Sequence, residues 1–371
     1  MAEAEVVFKN VTKIFSEGTD RAVYAVDHVS MEVEQGLLVT LLGPSGCGKT
    51  TSLRIIAGFE YPTSGDVYLR GRRINDVPPQ KRDTAMVFQS YGLFPHMTVL
   101  QNVAYGLKVK RVPRQQIKNR VAEALSLVGL QGLEDRSTGQ LSGGQQQRVA
   151  LCRALVTEPK VLLFDEPLSN LDAKLRKGTR EQIRNLQQEL GITSVYVTHD
   201  QAEAMSISDK IVVMNEGRIE QIGVPGEIYE HPRSRFVADF IGEANFHTGR
   251  VVAIQGQQIT VDLFGKPITV EQEQDGDFQF QTGDEVEAVV RPEAIDLVAV
   301  DAGDVNGKID FCHYTGSIAS YELKLENGEE MEVEVANPQE RGLLTEGARV
   351  GINLHKHSIH LLKTQEDASP G

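Results

Sequence analysis

The chain has 371 residues, 40% of them apolar, which leaves room for two or three domains with ordinary cores, and no stretch has a disordered composition. Its apolar runs fall far short of the ~18–20 residues that cross a bilayer, and the opening "MAEAEVVFKN" lacks the basic and apolar parts of a secretory signal, so a cytosolic protein is expected. The net charge of −14 is uneven, with 9 basic and 24 acidic side chains in residues 241–371, which disfavours a nucleic-acid partner; three scattered cysteines without CxxC spacing disfavour a disulfide framework or a zinc site.

In chain order, short β-rich runs ("LLVTLL", "DTAMVF", "KVLLFD", "SVYVTH", "KIVVMN") alternate with helical patterns over residues 1–240. That alternation predicts an α/β domain with a largely parallel sheet. Between Thr98 and Leu155 the pattern is wholly helical, which predicts a helical subdomain at about residues 90–157 inserted into the α/β core. Over residues 241–371 the pattern changes to short alternating strands separated by Gly, Asp and Asn, as in "YELKLENGEEMEVEV". This spacing predicts a small all-β barrel domain, and the last residues, "KTQEDASPG", read as a frayed tail.

Three motifs carry chemistry. "GPSGCGKT", Gly43 to Thr50, sits between an apolar strand and a helix, the context in which GxxxxGK[ST] cradles phosphate. Glycines turn backbone N–H groups inward, Lys49 reaches the outer phosphates, and the Thr50 hydroxyl can ligand Mg²⁺. Cys47 within it reads as a small residue that the loop tolerates, not a nucleophile. "VLLFDEP" ends an apolar strand on two carboxylates, placing Asp165 to hold Mg²⁺ through water and Glu166 to polarise an attacking water. "LSGGQQQR" starts a helix with Ser142, Gly143 and Gly144, although glycine costs a helix about 0.5–1 kcal/mol relative to alanine. Such a start suggests a backbone that an anion approaches closely.

With a glutamine loop "VFQS" at Gln89, "SNLD" ending at Asp172 and "VTHD" at His199, these motifs stand in the order in which they occur in the nucleotide-binding ATPases of ABC transporters. The chain resembles that family over about residues 5–240. Its second half resembles the TOBE regulatory extension of bacterial and archaeal importers, in "VRPEAIDLV" and "YTGSIASYELKLENGEEMEVEV". The resemblance implies an α/β P-loop NTPase domain with an inserted helical subdomain over residues 1–240, then an all-β, oligonucleotide-fold-like TOBE domain over residues 241–371.

It also implies the ligands and roles. ATP and Mg²⁺ would be held by Gly43, Pro44, Ser45, Gly46, Cys47, Gly48, Lys49, Thr50 and Thr51 of one subunit and by Ser142, Gly143, Gly144 and Gln145 of its homodimer partner. Asp172 would pair across that interface. Phe15 would stack on adenine, with Tyr24 the competing aromatic. Thr50, Gln89 and Asp165 would serve the metal, while Glu166, His199, Gln89 and Lys49 carry catalysis. The protein would lie on the cytoplasmic face of the plasma membrane. Permease subunits would dock near Gln89–Leu107, on Tyr91 and Phe94, with a core role for these two and for Tyr105 as the alternative, and a solute-binding protein would act indirectly. The style of the second half resembles importers of polyamines, ferric iron or a related small ion; a sugar importer and a soluble non-transport ABC ATPase are the alternatives.

Overall fold

A computed structural model describes residues 4–274, 278–340 and 342–364; the expected frayed tail lies almost wholly outside them. The chain divides into two compact units between Pro225 and Gly226.

The first unit holds β1 (Ala4–Phe15), β2 (Val23–Glu34), β3 (Leu38–Leu42), α1 (Lys49–Ala57), β4 (Ser64–Leu69), β5 (Arg72–Arg73), β6 (Thr84–Val87), α2 (Val99–Val109), α3 (Arg114–Leu127), α4 (Gly143–Leu155), β7 (Val161–Asp165), α5 (Ala173–Leu190), β8 (Thr193–Thr198), α6 (Gln201–Ile207), β9 (Lys210–Asn215) and β10 (Arg218–Gly223). Its main sheet has the order β10-β9-β3-β8-β7-β6, parallel except for the edge strand β10. β3, β7 and β8 are buried at every position, as parallel strands covered on both faces must be. A smaller antiparallel sheet, β2-β1-β4-β5, shares a core with the main sheet through Val6, Phe8, Leu41, Leu53 and Val212.

Between β6 and β7 the chain is helical, as expected, and α2, α3 and α4 bury Val103, Leu107, Val121, Leu125, Val149 and Cys152 in a core of their own. α2 opens with a reciprocal cap: the Gln101 N–H donates to Thr98 Oγ1 (3.2 Å), and the Thr98 N–H donates to Gln101 Oε1 (3.0 Å). The C-terminal end of α1 is closed by Arg82. Its buried guanidinium donates to the carbonyls of Ile55 and Ile56 (2.6 and 2.8 Å), Ile74 (2.7 Å) and Val77 (2.7 Å). A cation there also complements the negative end of the helix dipole, which fixes the axis of the helix that begins at the phosphate loop.

The second unit contains α7 (Pro225–Glu230), α8 (Arg235–Phe240), β11 (Asn245–Gln255), β12 (Gln258–Leu263), β13 (Lys266–Glu271), β14 (Glu285–Val290), β15 (Ile295–Val298), β16 (Val305–Tyr314), β17 (Ile318–Leu325), β18 (Glu330–Ala336), β19 (Arg349–Leu354) and β20 (Ile359–Lys363). Two antiparallel five-stranded sheets, β13-β12-β11-β14-β20 and β15-β19-β16-β17-β18, enclose one core built from Val261, Val286, Ile309, Tyr321, Ile352 and Leu361. The division lies ahead of the expected 240/241 boundary, for a physical reason. Arg291 stacks on the Tyr229 ring at 4.2 Å and donates to the carbonyls of Tyr229 (3.0 Å), Ala238 (2.9 Å) and Glu243 (2.9 Å), and Ala238 is buried against Val289 and Leu362. α7 and α8 are thereby tied to the β unit.

His360 on β20 is buried, donates Nε2–H to the Pro232 carbonyl (3.0 Å), and is held in its neutral form, with its pKa pushed down to about 4 by burial and by His231. His247, also buried, is shifted downward because burial outweighs the attraction of Glu329, 2.6 Å from its Nδ1. Between pH ~6.5 and ~4 the unfolded chain takes up protons that the folded chain refuses, so stability falls as pH falls through that window, by about 3 kcal/mol for the His360 shift at full size. Thermal unfolding of a His360→Gln chain should therefore be less acid-sensitive between pH 6.5 and 4 than that of the parent, with a residual slope from His247. Identical pH slopes would refute the assignment.

Candidate functional site

The parallel strands set the site. β3 runs directly into the phosphate loop, where Gly48 has φ 102° and a Cβ would stand 2.2 Å from the Ala25 carbonyl oxygen, so only glycine fits. Cys47 is buried against the core, with its Sγ 3.6 Å from Lys49 Nζ. Lys49 Nζ donates to the carbonyls of Gly43 (2.7 Å) and Pro44 (2.8 Å). The ammonium is therefore held by backbone acceptors inside the loop, with no carboxylate among these partners to neutralise it. Thr50, on the first turn of α1, donates its hydroxyl to Asp165 Oδ1 at 3.3 Å. Burial pushes the Asp165 carboxyl above the usual carboxylate range, partly offset by the Thr50 hydroxyl.

Glu166 follows β7 in the left-handed region, φ 43°, a strained conformation for a side chain of its kind. Its N–H donates to the Val197 carbonyl on β8 (3.0 Å), so the chain turns where the two strands end. Its carboxylate oxygens face two groups: His199 Nδ1 lies 3.2 Å from Oε1, and Gln89 Nε2 donates to Oε2 at 3.3 Å. Three residues separated by as many as 110 positions, 199 − 89, thus meet on one carboxylate. Asn170 Nδ2 donates to the Gln89 carbonyl at 2.7 Å and fixes the glutamine segment to the loop after Glu166. Sequence reading passed over this Asn170 contact, because an asparagine in a loop carries no signal by itself.

Ser142 caps α4. The Gln145 N–H donates to Ser142 Oγ (3.4 Å) and the Ser142 N–H to Gln145 Oε1 (2.9 Å). Gln146 Nε2 donates to the carbonyls of Thr138 (3.1 Å) and Leu141 (3.4 Å), while Gln147 is buried under the helix. The glycines also have a local reason: a Cβ on Gly144 would stand 3.1 Å from Leu175 Cδ2 on α5. Asp172 caps α5 by accepting from the Leu175 N–H at 2.9 Å.

The aromatics of the segment expected to dock the permease differ in their burial. Tyr91, expected on a docking surface, is core: it is 6% exposed and lies among Val87, Ala150, Leu168 and Tyr196. Its backbone lies in the left-handed region, φ 61°. Tyr105, by contrast, is exposed and stands 4.7 Å from Phe94, ring centre to ring centre. Phe15 and Tyr24 occupy the same end of the β1–β2 pair, where Phe15 pairs with Val23 and Ile14 with Tyr24, and both are exposed.

Comparison with known proteins gives the family of the chain. The ABC transporter family matches residues 26–169 and the TOBE domain family residues 288–362. The chain is 45% identical to the spermidine/putrescine import ATP-binding protein PotA of Clostridium novyi, over 99% of this chain and 100% of that one. It is 46% identical to the Fe(3+) ions import ATP-binding protein FbpC 1 of Rhizobium meliloti, over 98% and 99%. Among solved structures, the dimeric post-hydrolysis state of the ATP-binding cassette MJ0796 bound to ADP and Pi is similar at a TM-score of 0.53 and 34% identity, covering 59% of this chain and 98% of that one.

Proposed function

Since the chain belongs to the ATP-binding subunits of ABC importers, whose activity is ATP hydrolysis, we propose that it powers uptake of a polyamine or ferric iron, with the residues described above in specific roles. The observation that carries the catalytic reading is the single carboxylate of Glu166 reached by both His199 and Gln89 at the open end of a parallel sheet. Glu166 is the general base: it takes the proton of the attacking water as the bond to the leaving ADP breaks. His199 holds that carboxylate and contacts the γ-phosphate, and Gln89 positions the water.

Gly43 to Thr51 cradle the phosphates, with Lys49 exchanging two carbonyl contacts for phosphate oxygens, and Phe15 stacks on adenine. Thr50, Gln89 and Asp165 are hard oxygen donors of the kind Mg²⁺ takes alongside phosphate, and the Thr50–Asp165 contact fits such an ion. When bound, Mg²⁺ neutralises charge on the phosphates, and it favours the ionised form of Asp165 against the upward push of burial.

Ser142, Gly143, Gly144 and Gln145 form a second anion site, which serves the γ-phosphate of a second copy, so the working form is a homodimer with Asp172 at its interface. The dimeric cassette MJ0796 supports this reading. Among the described residues no helix is long and apolar enough to cross a membrane. The chain works as a peripheral subunit on the cytoplasmic face, receiving a permease near Gln89–Leu107 on the Phe94–Tyr105 pair.

Glu166→Gln should bind ATP normally, trap a closed dimer on size exclusion and lower steady-state phosphate release by at least 100-fold; turnover near the parental rate would remove Glu166 from its role. Ser142→Arg should block hydrolysis while each phosphate loop still binds a fluorescent ATP analogue, and normal hydrolysis would rule out the composite site. The solute is tested by isolating the permease and binding protein that co-purify with the chain and titrating the latter calorimetrically. Binding of spermidine, putrescine or Fe³⁺ is expected; binding of a sugar alone would overturn the solute reading.

A further inference from the structure

We infer that Glu203 is a positioning residue for ATP hydrolysis, holding the arch from which His199 reaches Glu166. The inference rests on the catalytic reading of His199 given above.

His199 lies between β8 and α6, with its side chain largely exposed and Glu166 as its observed partner, 3.2 Å away. The imidazole therefore gains little placement from packing, and its position is set by the backbone that carries it. That backbone is pinned on both sides. Before it, Thr198 Oγ1 accepts from the Asp200 N–H (3.0 Å) and donates to Glu203 Oε2 (2.8 Å). After it, Asp200 Oδ1 accepts from the Glu203 N–H (2.9 Å). The Tyr196 hydroxyl donates to the same Oε2 at 3.1 Å. One carboxylate oxygen thus gathers two hydroxyls from the strand that leads into His199, while the N–H of the same residue closes the turn that leads away from it.

The burial of this acid calls for a reason. Glu203 is 4% exposed, and Tyr196 and Thr198 are buried more deeply still. Burial pushes the Glu203 carboxyl above its usual range, an effect that the Thr198 hydroxyl opposes and Asp200 augments. A cap for a helix as short as α6 needs no such group, because Asp200 already supplies it. What the buried carboxylate adds is an acceptor with two converging lone-pair directions, enough to fix Thr198 and Tyr196 together. Without it, two buried hydroxyls lose their acceptor and the arch can relax by the few tenths of an ångström that separate a 3.2 Å contact from none.

The test uses the full chain and single-turnover hydrolysis at high enzyme concentration, so that residual rates are measurable. Glu203→Ala should lower the rate constant at least tenfold while leaving the affinity for a fluorescent ATP analogue within twofold. Glu203→Gln, which keeps an amide oxygen as acceptor, should recover to within about threefold of the parent. In a His199→Ala background, Glu203→Ala should cost nothing further. If Glu203→Ala fails to fold, Tyr196→Phe removes one of the two hydroxyls from the same carboxylate, leaves the Thr198–Asp200 contact in place and carries the same comparison. A parental rate in Glu203→Ala, an equally large further loss in the His199→Ala background, or failure of Glu203→Gln to recover would each overturn the inference. Parental hydrolysis by His199→Ala alone would instead overturn the catalytic reading on which it rests, so the two failures are told apart.

Discussion

The hydrogen bond from the Glu166 N–H to the Val197 carbonyl is the constraint around which the site is arranged. It clamps the ends of two neighbouring parallel strands at the point where both leave the sheet. Glu166 must turn sharply there, and it does so at φ 43°. A left-handed backbone costs of order 1–2 kcal/mol for a residue with a side chain, and the clamp is what holds it. The turn aims the carboxylate away from the apolar strand interior and toward the segments that carry Gln89 and His199. Without it, a residue in extended conformation after Asp165 would continue along β7, and the three groups would have no common point.

The same economy appears at the start of α4. Its glutamines are not a uniform polar run: Gln145 closes a reciprocal cap, Gln146 fastens the preceding turn, and Gln147 is buried. The capping residue Ser142 and the flanking Gly143 stay exposed. The helix start is therefore rigid from below and open from above, the condition under which N–H groups can receive an anion without reorganising. Gly144 has two roles in this arrangement. It admits close approach of a ligand in the proposed function, and it admits Leu175 of the chain itself.

Much of this was legible in the sequence where chemistry demands particular residues at particular spacing. The phosphate loop, the two carboxylates after "VLLF" and the histidine after "YVT" each follow a buried strand, and strand ends in a parallel sheet converge on one side. What was not legible depends on packing. Tyr91 lies in a segment without periodicity, so nothing in the chain distinguishes an inward from an outward ring; its burial is set by the cluster that receives it. The division at Pro225 depends on Arg291, a cation more than fifty positions away that collects the carbonyls of α7 and α8. Glu203 reads as an ordinary acid in the first turn of a helix, favourable to the helix dipole, and only the burial of its carboxyl against Thr198 and Tyr196 gives it another meaning.

Two helix starts in one chain, α1 after the phosphate loop and α4 after Ser142, offer backbone N–H groups suited to phosphate, yet they are built differently. The first has a lysine inside its loop, a hydroxyl and a buried acid at hydrogen-bond distance, and a carboxylate just after β7. The second has a cap and no such acid or cation within the motif "LSGGQ". A site that can bind phosphate but not hydrolyse it adds nothing to a lone subunit. In the proposed dimer it would instead face the γ-phosphate of a second copy and make closure conditional on nucleotide. The difference between the two helix starts is thus an argument for the homodimer proposed above, in which each chain would contribute a catalytic half and a binding half.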